Sequence, residues 1–178
     1  MQFATADFER IIEDCLQDGL SDANLDRLAN ALAQTFKVRA DEVAIFRVEG
    51  PWLTFVHPAK LRKIGTIPLN ANGSVAAQTV NTGRPQIINN FTQVRHATLF
   101  EAVSLTENYD RASGVIQKMM SVPLAGPDGI IGVLQISRKG ATPGKAGADF
   151  NFSDLQKLLP KAASLAKVVA KKPAEGEE

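Results

Sequence analysis

Apolar residues recur every three or four positions over the first part of the chain. Phe8, Ile11, Ile12, Cys15 and Leu16 share one stripe, which predicts an amphipathic helix over residues 7–20 with Gly19 placed to stop it. Ser21 then stands as the cap of a second helix, residues 22–36, whose Leu25, Leu28, Ala29, Leu32 and Phe36 form a matching stripe. From residue 42 the pattern changes. Residues 42–48 and 52–56 are rich in β-branched and aromatic side chains around the turn Glu49-Gly50-Pro51, which predicts a hairpin, and residues 64–69 predict a third strand. Asn72-Gly73-Ser74 opens a helix over residues 75–81, and Thr82-Gly83-Arg84-Pro85 closes it ahead of a short strand at residues 86–88.

The pattern loosens over residues 89–113, although Leu99, Phe100, Val103 and Leu105 suggest a helix across part of them. A long, weakly patterned segment within a compact domain commonly carries function, and this one reads as a lid. Order returns at residues 114–139, where two apolar, β-branched runs flank Gly126-Pro127-Asp128-Gly129. Proline presets its own φ and Gly129 takes the positive φ of a tight reversal, so the run predicts a second hairpin. Its second arm, residues 130–136, is almost unbroken in apolar side chains, which predicts a central position with both faces covered. Residues 140–147 read as a flexible surface loop. A last helix follows from a Ser153 cap to residue 171; Pro160 within it predicts either a kink or a junction between two helices. Residues 1–172 read as one domain, and the acidic residues 173–178 as a disordered tail.

Composition narrows the functions. Twenty lysines and arginines balance nineteen acids, for a formal charge of +1, which offers no field for nucleic acid or an acidic membrane. No apolar window approaches the roughly 20 residues that span a bilayer, and residues 1–8 lack an apolar signal core. With one cysteine the chain forms no internal disulfide, and the expectation is a soluble cytoplasmic protein. Cys15 lies on the first apolar stripe and reads as a buried core residue. The two histidines are His57, expected at a surface strand end, and His96, in the lid beside Arg95. No metal-ligand spacing, nucleophile elbow or phosphate loop occurs, and Lys60, Arg62 and Lys63 read as a solvated loop.

The order of elements describes an α/β domain with helices on the faces of a mainly antiparallel sheet. At motif level, the run from Gly73 to Asn89, a small-residue helix start followed by a Thr-Gly-x-Pro turn and a short strand, resembles a signature of GAF domains. The run from Val115 to Lys139, in which Val-Pro-Leu, Asp-Gly and Ile-Gly-Val-Leu-Gln succeed one another, resembles a second. Phe150 to Asp154 stands where that family begins its last helix. The resemblance implies a six-stranded sheet with a ligand cavity on one face, closed by the helix after the third strand and by the lid. It also implies a sensor or signalling role.

GAF domains accept varied ligands, so the residues must discriminate. Cyclic-nucleotide binders carry an Asn-Lys pair where this chain has Ser137-Arg138-Lys139, although Phe150 and Asp154 are present. Bilin binders attach their chromophore through a cysteine, in a Cys-His pair or a preceding segment. This chain has no such pair. Free methionine sulfoxide reductases need several cysteines. Haem requires an axial imidazole, for which His96 is a candidate. The reading is therefore a non-enzymatic sensor domain with a small-molecule ligand, its cofactor unknown. The expected ligand-lining residues are Phe46, Asn89, His96, Tyr109, Met120 and Gln135. The alternative is a ligand-free interaction module that forms a homodimer through its terminal helices.

Overall fold

The computed structural model describes residues 3–93 and 115–171, with side chains from 7 to 92 and from 115 to 171. Most of the expected lid, including His96 and Tyr109, and the tail 173–178 lie outside the described residues.

Helix α1, Phe3–Asp18, begins earlier than the stripe predicts and ends at Gly19, whose φ of 87° breaks the helical path. Helix α2, Asp22–Phe36, follows at once. The Ser21 side chain accepts the Asn24 N–H at 3.2 Å and satisfies one of the donors a helix start leaves open. Arg27 on α2 reaches Asp14 on α1 at 2.8 Å, but this pair is largely solvated and contributes little. What holds the two helices together is their apolar stripes, which are buried with Leu28, Leu32 and Cys15 fully covered.

The sheet has six strands, all antiparallel: β1 Val43–Glu49, β2 Trp52–His57, β3 Thr66–Pro68, β4 Gln86–Ile88, β5 Val115–Gly126 and β6 Gly129–Gly140. Their spatial order is β3-β2-β1-β6-β5-β4. The β5–β6 hairpin closes through Pro127 and Asp128, with Gly126 paired to Gly129 and the latter at φ 139°. The apolar arm β6 lies between β1 and β5, where both faces are covered. β1 can approach β6 closely only because residue 132 is glycine. A Cβ there would stand 2.2 Å from the Phe46 carbonyl oxygen.

Side chains alternate between two layers. On one face Val43, Ile45, Met120, Val122, Leu134 and Ile136 pack against α1, α2 and the last helix, α4, Phe152–Ala170. On the other Phe46, Leu53, Phe55 and Val133 meet helix α3, Val75–Thr82, through Ala76 and Ala77. Helix α4 is capped by Asn151, two residues before the expected Ser153. Asn151 and Asp154 exchange backbone-to-side-chain hydrogen bonds of 3.0 Å at both ends of the capping box. Despite Pro160, α4 runs as one helix; the proline is exposed, so water can satisfy the carbonyl that its missing N–H leaves open.

Where the loop after β6 leads into α4, residues 147–149 are held by two cations. Lys118 reaches the Gly147 carbonyl at 2.6 Å and the Asp149 carboxylate at 2.8 Å. Arg138 donates to the Ala148 carbonyl and, at 3.0 Å, to that of Phe36, while its guanidinium lies 4.2 Å from the centre of the Phe150 ring.

Candidate functional site

On the α3 side of the sheet, polar residues occupy alternate positions of otherwise apolar strands: Ser121 on β5, and Gln135, Ser137 and Lys139 on β6, each at most 8% exposed. Burying such groups is unfavourable unless each finds a partner. A one-way chain of hydrogen bonds supplies the partners. The Thr79 hydroxyl donates to the Val75 carbonyl at 2.8 Å, so in its 2.7 Å contact with Ser121 it must accept. Ser121 in turn accepts from the Gln135 amide nitrogen at 3.2 Å. The chain thereby fixes the Gln135 amide, and its carbonyl oxygen is the acceptor that remains to face the adjoining cavity.

That cavity encloses about 20 Å3, room for about one water molecule. Its apolar wall is the Phe46–Phe55 pair, with ring centroids 4.5 Å apart, together with Ile116 and Met119. The polar wall comprises Gln135, Ser137 and Lys139 with the turn at Asp41 and Glu42. Glu42 is wholly engaged: its carboxylate accepts the Lys139 and Arg39 N–H groups, both at 2.8 Å, and its carbonyl accepts the Ser137 hydroxyl at 3.2 Å. The Lys139 ammonium donates to the Asp41 carbonyl at 3.3 Å. Burial pushes the Lys139 pKa down to about 8, against the opposing pull of the Asp41 and Glu42 carboxylates.

Phe46 and Gln135 thus both line this cavity. Met120 does not. It packs against the helices on the opposite face, and its neighbour Met119 lines the cavity instead. The reason is the strand period of two, compounded by a β-bulge between Ile116 and Lys118 that brings Ile116 onto the same face as Met119. Asn89 also has another task. Its amide exchanges hydrogen bonds of 3.0 and 2.9 Å with the Phe150 carbonyl and N–H, which ties the end of β4 to the start of α4.

His57 is not the surface residue its strand-end position suggests: it is 6% exposed and donates through Nε2 to the Ala40 carbonyl at 3.3 Å, and burial lowers its pKa. Among the described residues no group of three His, Cys, Asp or Glu side chains is disposed to hold a metal. Met119, Lys139 and the Thr79–Ser121 pair were missing from the sequence-based set. Their signal was present in the alternation of Ser121 with apolar neighbours on β5 and of Gln135, Ser137 and Lys139 along β6, positions where a purely structural strand would bury apolar groups.

A family model described as GAF domain matches residues 22–169. No curated protein matches the chain. Among solved structures, the GAF domain from an Acinetobacter phosphoenolpyruvate-protein phosphotransferase superposes with a TM-score of 0.63 at 16% identity, over 93% of this chain and 92% of that one. The GAF domain of a two-component sensor histidine kinase from Bacillus halodurans gives 0.57 at 17% identity, over 85% and 95%. The reduced form of fRMsr of Staphylococcus aureus gives 0.57 at 20% identity, over 91% and 92%. At such identities the likeness is one of fold.

Proposed function

The chain belongs to the GAF domain family, whose members are typically sensor or signalling domains, and we propose that it is a non-enzymatic, cytoplasmic sensor whose cavity on the α3 side of the sheet takes a small polar ligand. The observation that carries this reading is the buried chain from Thr79 through Ser121 to Gln135, which orients an amide toward a cavity that also meets Lys139 and an aromatic pair. A sheet face built only for packing has no use for a polar chain that ends at a void.

A volume of about 20 Å3 admits a guest larger than water only if the cavity wall moves outward. Ligand entry is then coupled to conformation, as signalling requires. The free methionine sulfoxide reductases among GAF domains need several cysteines to attack and resolve the oxidised sulfur. This chain has one cysteine, and Cys15 lies fully buried on the opposite face with its pKa raised by burial.

Thermal-shift titration with nucleotides, haem and small carboxylic and amino acids tests the reading. A ligand held only by the folded state stabilises by about 2.7 kcal/mol at a hundredfold excess over its Kd, and Gln135→Leu should abolish that rise. No rise with any compound, or a rise untouched by Gln135→Leu, would overturn it.

A second reading rests on α4. Phe152 is 67% and Leu159 40% exposed, seven residues apart on one stripe, and a second copy of the chain could cover them. Light scattering should then show a dimer that Phe152→Asp dissociates; a monomeric mass for the unmodified protein would exclude it.

A further inference from the structure

The helix-covered side of the sheet carries a second and much larger concavity. It opens where the α1–α2 turn, β1, β2 and the end of α4 meet, and it encloses about 830 Å3. Small-molecule sites occupy roughly 300–1,000 Å3. Leu20, Val56 and Val168 supply apolar wall, and Asp18, Arg47 and Glu49 supply charge.

Two further cations on the wall are already committed. Arg62 spends its guanidinium on the Val56 carbonyl, at 2.9 and 2.7 Å, and on Asp22 at 2.7 Å; Lys171 donates to the Leu16 carbonyl. Asp18, Arg47 and Glu49 differ from them, since among the described residues none of the three makes an ion pair or a side-chain hydrogen bond. Arg47 and Glu49 are two apart on β1 and therefore share the face of the sheet on which Thr54, the partner of Arg47 on β2, also lines the cleft.

The position of Asp18 is itself unfavourable. It is the last residue of α1, where the helix dipole favours a cation, and the last turn contains no basic residue. Lys171 answers the carbonyl end of α1 at Leu16, so what this wall lacks is a partner for the Asp18 carboxylate itself, and another wall presents a guanidinium suited to a carboxylate. A simple organic anion would meet Asp18 and Glu49 as repulsion, and a simple cation would meet Arg47.

We infer that this cleft binds a zwitterionic amino compound with an apolar body, a free amino acid or a short peptide. Its carboxylate pairs with Arg47, its ammonium group lies toward Asp18 and Glu49, and its apolar body lies over the partly exposed Leu20. Because the cleft touches α1, α4 and the sheet together, an occupant bridges elements whose packing defines the helical layer. The site lies across the sheet from the cavity lined by Gln135 and Lys139 and stands independently of the role proposed for that cavity.

Calorimetric titration with leucine, dileucine and trileucine identifies the length that spans the charges. N-acetyl and C-terminal amide derivatives of the best binder then remove one charge each. Saturable one-to-one binding is expected, with each derivative at least about tenfold weaker. Arg47→Gln should weaken the zwitterion about tenfold while leaving the amide derivative unchanged, and Asp18→Asn should do the converse with the N-acetyl derivative. Lys145→Gln, an exposed charge change in the loop after β6, should leave binding unaltered. Far-UV circular dichroism confirms that each variant is folded. Absence of saturable binding by all three probes, or equal affinity for the N-acetyl derivative, or indifference to Arg47→Gln in the folded variant, overturns the assignment.

Discussion

Replacing Gly132 by alanine places a methyl group 2.2 Å from the carbonyl oxygen of Phe46 and 3.1 Å from the Leu124 side chain. The nearer atom is backbone, held in the β1–β6 ladder where Arg47 pairs with Gly132, so it cannot rotate away as a side-chain end would. Relief requires the two central strands to part by about an ångström, and the cost has two parts. Overpacking a core costs about 1–3 kcal/mol, and each ladder hydrogen bond weakened costs up to about 1 kcal/mol. Set against this, alanine reduces the entropy of the unfolded chain and stabilises by about 0.4–1 kcal/mol. The net expectation is a loss of about 2 kcal/mol, equivalent to about 4–8 °C in Tm for a chain of this size. Urea unfolding of Gly132→Ala beside Gly144→Ala measures it; at Gly144 the new methyl meets nothing within 4 Å. A Gly132→Ala midpoint equal to that of Gly144→Ala would refute the close approach of β1 and β6, and with it the packing of Phe46 against the cavity.

Two further outcomes follow from contacts already described. Asn89→Ala removes both hydrogen bonds to Phe150 and should cost about 1–3 kcal/mol in urea unfolding, while Asn89→Asp should retain the bond from the Phe150 N–H and lose less. Lys139 binds its proton less tightly in the folded chain, at about 8 against 10.5, so between those values the unfolded state holds more protons and stability rises with pH. Below pH 8 the full penalty of the buried charge is present, on the order of 3 kcal/mol, and above 10.5 it is gone. The stability difference between wild type and Lys139→Met, followed by urea unfolding from pH 7 to 10.5, should therefore move in favour of wild type as pH rises; a pH-independent difference would show that Lys139 titrates normally.

Much of this architecture was legible in the chain because its signals are local. The 3.6-residue stripes of α1 and α2, the Ser21 and Ser74 caps, and the Gly126–Gly129 reversal each depend on neighbours a few residues away, and each reappears in the structure. The local misses are small, such as the α4 cap at Asn151 in place of Ser153, and the larger ones depend on distant partners. No local signal marks residues 147–149 as held, yet Lys118 and Arg138, on strands β5 and β6, bind them. His57 reads as exposed until Ala40 is known to lie beside it.

The sequence by itself determined that the chain alternates amphipathic helices with strands, that its longest hairpin is central, and which motifs mark the GAF family, because periodicity and turn chemistry are written within short windows. Only the tertiary structure decided which methionine faces the cavity, since the pairing of Met119 with Ser137 and of Ser121 with Gln135 puts Met119 on the polar face and Met120 on the other. It also decided that Asp18 and Arg47, 29 residues apart, stand on the walls of one cleft. Charges on separate elements acquire a common purpose only when packing brings those elements together.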